Sequence, residues 1–182
     1  MDELVDILNS KGNPTGRTAL KSEAHKKGLF HPTIHVWCYS YSGKVLLQQR
    51  GKNKDAFPLK WDVSVAGHIE AGENYSLAAI REMTEEIGVR ISKEKLEKIE
   101  VIKKEVKHSE TFIDREFCHV YLCLLDENIP LKKQESEVEA LQWMTIEEFK
   151  KWVESKHPDL IPNSEEQFYN IISEIETRIQ NC

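Results

Sequence analysis

The chain has 182 residues, of which 40% are apolar and 31% are charged, a balance typical of one folded domain with a full hydrophobic core. Its formal net charge of −6 argues against a nucleic-acid-binding role, because phosphate backbones need basic surfaces. A small phosphate ligand stays open, since a bound divalent cation can reverse the local charge. No apolar stretch is long enough to cross a membrane and the first residues do not resemble a signal peptide, so we expect neither an anchor nor a leader.

The cysteines form no CxxC pair, and three of the four lie in apolar, strand-like runs. Such residues usually behave as small buried hydrophobic side chains. We therefore expect reduced thiols in a cytoplasmic protein. The residues concerned are Cys38, Cys118, Cys123 and Cys182.

Residues 1–30 are predicted to form an N-terminal extension. In residues 1–20, two short runs flank the dense turn chemistry of residues 9–16, which indicates a β-hairpin. Residues 21–29 are predicted to form a short helix or turn that closes at Gly28.

Strands are predicted next at residues 30–41, 45–50 and 61–65, with a tight turn at residues 41–44. Further strands are predicted at residues 95–106, 115–125 and 141–144, with an acidic link at residues 110–116 and a charged, exposed stretch at residues 131–139. A capping-box pattern opens a helix at Thr145, and an amphipathic helix follows at about residues 164–179. Since no repeat or linker interrupts the chain, we expect one α/β domain over residues 1–182, with a mixed sheet and helices on its outside.

Residues 67–89, GHIEAGENYSLAAIREMTEEIGV, combine a glycine-containing turn with an acidic helix. At 100° per residue, four side chains fall close to Ile80 and are predicted to face the core with it. They are Leu77, Met83, Thr84 and Ile87.

The acids of this helix fall on the opposite side, at spacings i, i+3 and i+4: Glu82, Glu85 and Glu86. A solvated acidic face is the ordinary explanation of such a run. Like charges at these spacings repel, however, and a helix that needed only solubility would mix in lysine. We favour a hard divalent cation held between the three carboxylates.

The spacing within residues 67–89 has a known counterpart. Gly67, five residues, Glu73, seven residues and then REMTEEIGV match every position of G-x5-E-x7-R-E-U-x-E-E-x-G-U, where U is bulky and apolar. This pattern resembles the Nudix box. The resemblance implies an α/β/α sandwich and a pyrophosphohydrolase that acts on a nucleoside diphosphate linked to some group X.

The same resemblance implies roles for individual residues. It assigns binding of Mg²⁺ or Mn²⁺ and catalysis to Glu82, Glu85 and Glu86. Glu85 is our candidate for the general base. Arg81 and Glu73 become an ion pair that braces the loop against the helix, and Glu70 matches a further acidic position of the loop.

The polar loop after residue 50 carries three cations: Arg50, Lys52 and Lys54. Both side-chain types pair with phosphate oxygens, so Arg50 and Lys54 are candidates to bind the diphosphate. A solvated basic loop is the alternative explanation.

Roughly residues 20–145 also resemble type I isopentenyl diphosphate isomerase and the Nudix hydrolases most similar to it. HKKGLFH at 25–31, LQQR at 47–50, SVAGH at 64–68 and DRE at 114–116 carry this resemblance. The isomerase binds a divalent metal through three histidines and two acids, and the matching residues are His25, His31, His68, Asp114 and Glu116. Chemically, that set could bind Mn²⁺, Zn²⁺ or Mg²⁺ at a second site. The other histidines match no ligand position: His35, His108, His119 and His157.

Ala66 marks where the second resemblance fails. The isomerase carries its acid/base cysteine immediately before the Gly-His pair, whereas alanine has no proton to move. The complete box therefore favours hydrolysis of a small-molecule diphosphate over isomerisation of isopentenyl diphosphate. A non-catalytic diphosphate sensor is a third option. The oligomeric state is open, and a homodimer is one possibility.

Four aromatic residues could stack on a base or pack in the core: Trp37, Tyr39, Trp61 and Trp143.

Overall fold

The structure is a computed structural model that describes residues 2–162 and 165–181. The predicted helix start at residue 164 and the thiol of Cys182 lie outside the described residues. The described elements are, in chain order, β1 (Leu4–Leu8), β2 (Pro14–Leu20), α1 (Lys21–Lys27), β3 (His31–Tyr39), β4 (Lys44–Arg50), β5 (Trp61–Asp62), β6 (Val65–His68), α2 (Tyr75–Glu86), β7 (Leu96–Ser109), β8 (Phe112–Leu124), β9 (Val138–Thr145), α3 (Ile146–Glu154) and α4 (Glu165–Gln180).

A mixed sheet of seven strands forms the middle layer. Strands β5, β4, β3, β8 and β7 lie side by side in that order, and β6 and β9 pair with β3 and β4. The β3–β8 pairing is parallel and the others are antiparallel. Helix α2 packs on one face, and α3 and α4 pack on the other. This arrangement confirms the predicted α/β/α sandwich.

Each face of the sheet has its own apolar cluster. Met83 and Ile87 of α2 are buried against one face, and Phe149 of α3 is buried against the other. Trp37 and Tyr39 are buried in the second cluster, so the core explanation holds for these two aromatic residues. Three cysteines are buried free thiols: Cys38, Cys118 and Cys123.

The N-terminal extension contains the predicted hairpin, β1 with β2, and the predicted short helix α1. Gly28 ends α1 with φ = +59°, a conformation that glycine adopts without steric cost. The outer edge of β1 pairs with the loop that precedes α2. The N–H of Ala71 donates to the carbonyl of Leu4 (2.8 Å), and the N–H of Gly72 donates to the carboxylate of Asp6 (2.9 Å).

Helix α2 presents a different face to the core from the predicted one. Met83 and Ile87 are buried as expected, but Leu77 is 55% exposed and Thr84 is exposed. The side chains buried in their place are Ala78, Ala79, Glu82 and Glu86. Small alanines let the helix lie close to the sheet, and two acids turn inward with them. The prediction that all three acids face away from the core is therefore wrong.

Two strand boundaries also differ from the predictions. The segment predicted as one strand at residues 61–65 is divided into β5 and β6, and β6 continues to His68. The acidic link predicted at residues 110–116 is short, because β8 already begins at Phe112. Asp114 and Glu116 consequently lie on a strand. None of the described helices is long and apolar enough to span a bilayer.

Candidate active site

The loop after β6 packs against the acidic side of α2. A Cβ atom added to Gly67 would lie 2.2 Å from the Cδ atom of Glu82, far inside contact distance. A glycine at this position therefore lets the Glu82 carboxylate lie over the loop. Glu82 is 7% exposed and Glu86 is 3% exposed, so the site begins with two buried carboxylates.

Among the described residues, Glu86 has no cation within ion-pair distance, and Glu82 shares Arg81 with Glu73 and Glu85. Glu86 accepts hydrogen bonds from Nε2 of Gln48 (2.8 Å) and from the N–H of Ala66 (3.2 Å). Burial nevertheless raises the pKa of Glu86 to about 7. Burial and the charge of Glu86 also raise the pKa of Glu82 to about 7. A hard divalent cation such as Mg²⁺ or Mn²⁺ fits this donor set, since it would favour the ionised form of both acids.

Arg81 connects the loop to the helix. Its Nε and Nη2 atoms donate to the two carboxylate oxygens of Glu73 (3.1 and 2.9 Å), and Nη2 also donates to the carbonyl of His68 (3.0 Å). Its Nη1 atom lies 2.8 Å from Oε1 of Glu82. This two-pronged geometry holds a guanidinium and a carboxylate in a fixed mutual orientation. Arg81 and Glu73 thus form the bracing pair that the box resemblance implies.

The remaining predicted box acids are exposed. The Glu85 side chain is 47% exposed and lies 3.4 Å from Arg81, at the solvent edge of the buried pair. The backbone of Glu70 pairs with Val5, and its N–H donates to Glu73. The Glu70 carboxylate forms no hydrogen bond or ion pair with the other described residues.

Three of the predicted ligand histidines come together. His25 comes from the last turn of α1, His31 from the start of β3 and His68 from the end of β6. One ring nitrogen of each lies within 4.8 Å of the others, and the Nε2 atoms of His25 and His68 are 3.2 Å apart. Nδ1 of His31 faces the carbonyl of Leu29 at 2.9 Å, so Nδ1 carries the proton and Nε2 is left as an acceptor. That buried Nε2 atom has no partner among the described residues.

The electrostatics of His31 and His68 favour neutral rings. Burial lowers the pKa of His31 to about 4 and, with the charge of His31, lowers the pKa of His68 well below its usual value. Neutral imidazoles are the form that binds Zn²⁺ or Mn²⁺. The trio therefore fits a second metal.

The two acids predicted with these histidines are not in the convergent group. Oδ1 of Asp114 lies 2.9 Å from Nδ1 of His25, and its Oδ2 lies 2.7 Å from Nε2 of His108. Asp114 is thus behind His25, where it can orient the ring. Burial acts to raise the pKa of Asp114, but His25 and His108 lower it below its usual value. Glu116 accepts a hydrogen bond from Thr33 (3.3 Å).

The predicted diphosphate-binding cations already have partners within the protein. Nε of Arg50 donates to the carbonyl of Ala56 (3.0 Å), and Nη1 donates to Asp62 (3.1 Å). Lys54 forms an ion pair with Glu137. Arg50 and Lys54 thus have carboxylate partners at positions that phosphate oxygens could take.

Sequence reasoning missed Glu137 and Gln48. Glu137 lies in the charged stretch that was predicted to be exposed, yet it is half-buried beside Lys54, and its charge also acts on Glu86. No local pattern marks it. Gln48 belongs to the LQQR motif of the isomerase resemblance, and its contact with Glu86 gives that motif a physical role.

The NUDIX domain family model matches residues 29–164. The chain belongs to the Nudix family. It is 37% identical over 166 residues to Nudix hydrolase 3 of Arabidopsis thaliana, covering 88% of this chain but only 22% of that protein. The chain thus spans about a fifth of the length of this relative. It is 36% identical over 159 residues to an uncharacterised Nudix hydrolase of Clostridium acetobutylicum, covering 85% of this chain and 76% of that protein.

The second resemblance is confirmed as well. The isopentenyl-diphosphate Delta-isomerase of Serratia proteamaculans is 29% identical over 143 residues, covering 79% of this chain and 75% of that protein. Among solved structures, a Deinococcus radiodurans protein has a TM-score of 0.69 at 19% identity, covering 92% of this chain and 98% of that one. The Nudix domain of Shewanella oneidensis NrtR, complexed with ADP-ribose, has a TM-score of 0.58 at 16% identity, covering 81% and 87%. At these identities the structural likeness shows the fold alone.

Proposed function

We propose that the protein is a divalent-metal-dependent pyrophosphohydrolase that cleaves a diphosphate bond in a nucleoside diphosphate derivative or a similar small molecule. The buried pair of Glu82 and Glu86 carries the proposal, because two adjoining carboxylates with a raised pKa favour a cation between them. A bound Mg²⁺ or Mn²⁺ would neutralise charge on the substrate phosphates and lower the pKa of a water. The relatives named Nudix hydrolases support the reaction class.

The roles of the residues follow from their positions. Glu82, Glu85 and Glu86 would hold the cation, and the exposed Glu85 carboxylate, 3.4 Å from Arg81, would accept a proton from water. Arg50 and Lys54 exchange their protein carboxylates for phosphate oxygens when substrate binds.

A substrate screen tests the proposal. The protein is incubated with Mg²⁺ or Mn²⁺ and a panel of nucleoside diphosphate derivatives, and released phosphate and pyrophosphate are measured. We expect metal-dependent cleavage of at least one compound and none in EDTA. Tight binding without turnover across the whole panel would instead identify a diphosphate sensor.

Isomerisation of isopentenyl diphosphate is the second candidate, favoured by the isomerase relative and by the histidine trio. Ala66 opposes it. This residue lies on β6 and offers only a backbone N–H, to Glu86, where the isomerase resemblance places a cysteine. We expect no deuterium uptake from heavy water into isopentenyl diphosphate. Uptake at a rate above that of buffer would reverse the assignment.

Metal binding should stabilise the protein more strongly at higher pH. The pKa of Glu82 and of Glu86 is raised in the fold from 4.5 to about 7, so their contribution to stability is present at low pH and is lost as pH rises through about 7. A cation binds the ionised form and offsets this loss. We expect Mg²⁺ to raise Tm by several degrees at about pH 8 and by little at about pH 5. Thermal unfolding with Mg²⁺ and with EDTA measures the difference, and an equal shift at both values would contradict it.

The histidine trio is proposed as a second metal site. Replacing His68 with glutamine should lower the metal content by one ion per chain after dialysis against Zn²⁺ or Mn²⁺, as measured by mass spectrometry. His157→Gln is the matched control, because His157 stacks on Trp152 and has no contact with the trio among the described residues. Equal metal content in parent and both variants would eliminate this site.

We also propose a cytoplasmic location, which the buried free thiols of Cys38, Cys118 and Cys123 support.

A further inference from the structure

A second group of nitrogen atoms lies on the same sheet face as the histidine trio. His35 of β3 is the cross-strand partner of Ala66 on β6, so their side chains share one face of the sheet. Lys104 of β7 is the cross-strand partner of Glu116 on β8. The Lys104 side chain crosses over β8, since its Nζ atom lies 3.4 Å from Nε2 of His35.

Lys104 differs from the other cations around the site. Arg50, Lys54 and Lys21 each form an ion pair, with Asp62, Glu137 and Glu3 respectively. Across residues 2–162 and 165–181, no carboxylate lies within ion-pair distance of the Lys104 ammonium, and its hydrogen-bond partner is the His35 ring. The carboxylate in register with it, Glu116, is bound by Thr33 instead.

The charges around Lys104 favour an anion at this place. Burial, together with the cations Lys104 and Arg50, lowers the pKa of His35 well below its usual value, so the ring is neutral and accepts from the ammonium. The charge of the half-buried Lys104 ammonium also acts on Glu116, but no carboxylate among the described residues lies within ion-pair distance of it. An anion bound there would therefore have no protein carboxylate to displace. Ala66, the cross-strand partner of His35, carries only a methyl group.

We propose that His35 and Lys104 form a binding subsite for an anionic group, a phosphate or a carboxylate, on the X portion of the substrate. The subsite rests on the proposed function, since it would bind a part of the substrate other than the diphosphate that is cleaved. Lysine binds such groups as a point charge. The protein therefore prefers diphosphate derivatives in which X carries a negative charge over otherwise similar neutral ones.

Paired substrates test the subsite. UDP-glucuronate and UDP-glucose differ by one carboxylate, and UTP and UDP differ by one phosphate, so the two pairs distinguish the two anions. For at least one pair, we expect the parent to have the higher kcat/KM on the more anionic member. Lys104→Met should reduce that ratio by about tenfold or more, because kcat/KM should fall more on the more anionic member than on the less charged one. His35→Gln should reduce the ratio in the same direction.

Lys107→Met is the matched control, because Lys107 lies on the same strand but is exposed and paired with Glu110. It should keep the parental ratio. The proposal is overturned if the parent shows no anion preference, or if Lys104→Met changes both members of a pair equally.

A binding measurement separates this subsite from the hydrolase assignment. Calorimetry with Mg²⁺ compares inorganic triphosphate with pyrophosphate and needs no turnover. The parent and Lys107→Met should bind triphosphate more tightly, and Lys104→Met should lose that advantage. If no compound is hydrolysed but this difference appears, the subsite stands and the hydrolase proposal fails. If hydrolysis occurs and no difference appears in either assay, the subsite alone is wrong.

Discussion

Replacing Glu86 with glutamine should abolish hydrolysis and leave the fold intact. Glutamine keeps an oxygen that can accept from Gln48 and from the N–H of Ala66, but it removes a charge from the cation site. If the transition state loses several kcal/mol of stabilisation by the metal, kcat/KM should fall on the order of 10³-fold or more. The assay is phosphate release in saturating Mg²⁺.

The same substitution should not destabilise the metal-free protein at about pH 8. Burial makes ionisation of Glu86 unfavourable in the folded state. A neutral side chain of the same shape avoids this penalty, so the free energy of unfolding should not decrease. We expect Tm in EDTA to stay equal or to rise.

Glu85→Gln, at the exposed edge, should also lose most activity if Glu85 is the general base. Glu154→Gln, an exposed position on α3, is the control and should behave as the parent does. Full activity of Glu86→Gln in excess metal would refute the assignment of the site.

Replacing Gly67 with alanine should have the second largest effect. The new methyl group would lie 2.2 Å from the Cδ atom of Glu82, so the helix or the carboxylate must move. Overpacking of this kind costs about 1–3 kcal/mol of the free energy of unfolding. A displacement of about 1 Å in a catalytic group costs on the order of 10²-fold in kcat. Urea unfolding and phosphate release measure the two effects.

A double-mutant cycle shows whether the clash is the cause. Glu82→Ala removes the Cγ, Cδ and Oε1 atoms that would lie 2.2 to 2.5 Å from the new methyl group. Gly67→Ala should therefore cost less stability in the Glu82→Ala background than in the parent, with a coupling of about 1 kcal/mol. Additive costs would mean that Gly67 is needed for another reason, such as the backbone path of the loop.

The sequence predicts most of the elements because their signals are local. The hairpin of residues 1–20 follows from turn residues between short apolar runs, and the start of α3 follows from the capping box at Thr145. The residues of the Nudix box lie within 23 positions of one another, so the family resemblance could indicate the group of acids and the Arg81–Glu73 pair, although not that two of the acids are buried.

The orientation of α2 could not be predicted from the same residues. Periodicity places the largest apolar side chains in the core, which favours Ile80 and Leu77 over Ala78 and Ala79. The helix instead turns its alanines inward, and Glu82 is accommodated because Gly67 has no side chain. The core face of an active-site helix thus depends on the loop packed against it as well as on its own sequence.

Other site residues could not be predicted because they come from distant parts of the chain. Glu137 reaches Lys54 only because β9 pairs with β4, and Lys104 reaches His35 only because β8 lies between β7 and β3. Neither pairing can be predicted from the sequence near Glu137 or Lys104. The histidine trio was indicated by family resemblance, whereas the position of Asp114 behind His25 depends on the packing of α1 against β8.

The pairing of β1 with the loop before α2 bears on where this domain starts. The family model begins its match at residue 29, after β1, β2 and α1. A chain shortened to that limit would keep every acid of the Nudix box, yet it would lose the backbone of Leu4 and the carboxylate of Asp6 that hold residues 71 and 72. We therefore expect the smallest working unit of this protein to be longer than the segment that the family model matches, because a strand outside that segment supports the loop inside it.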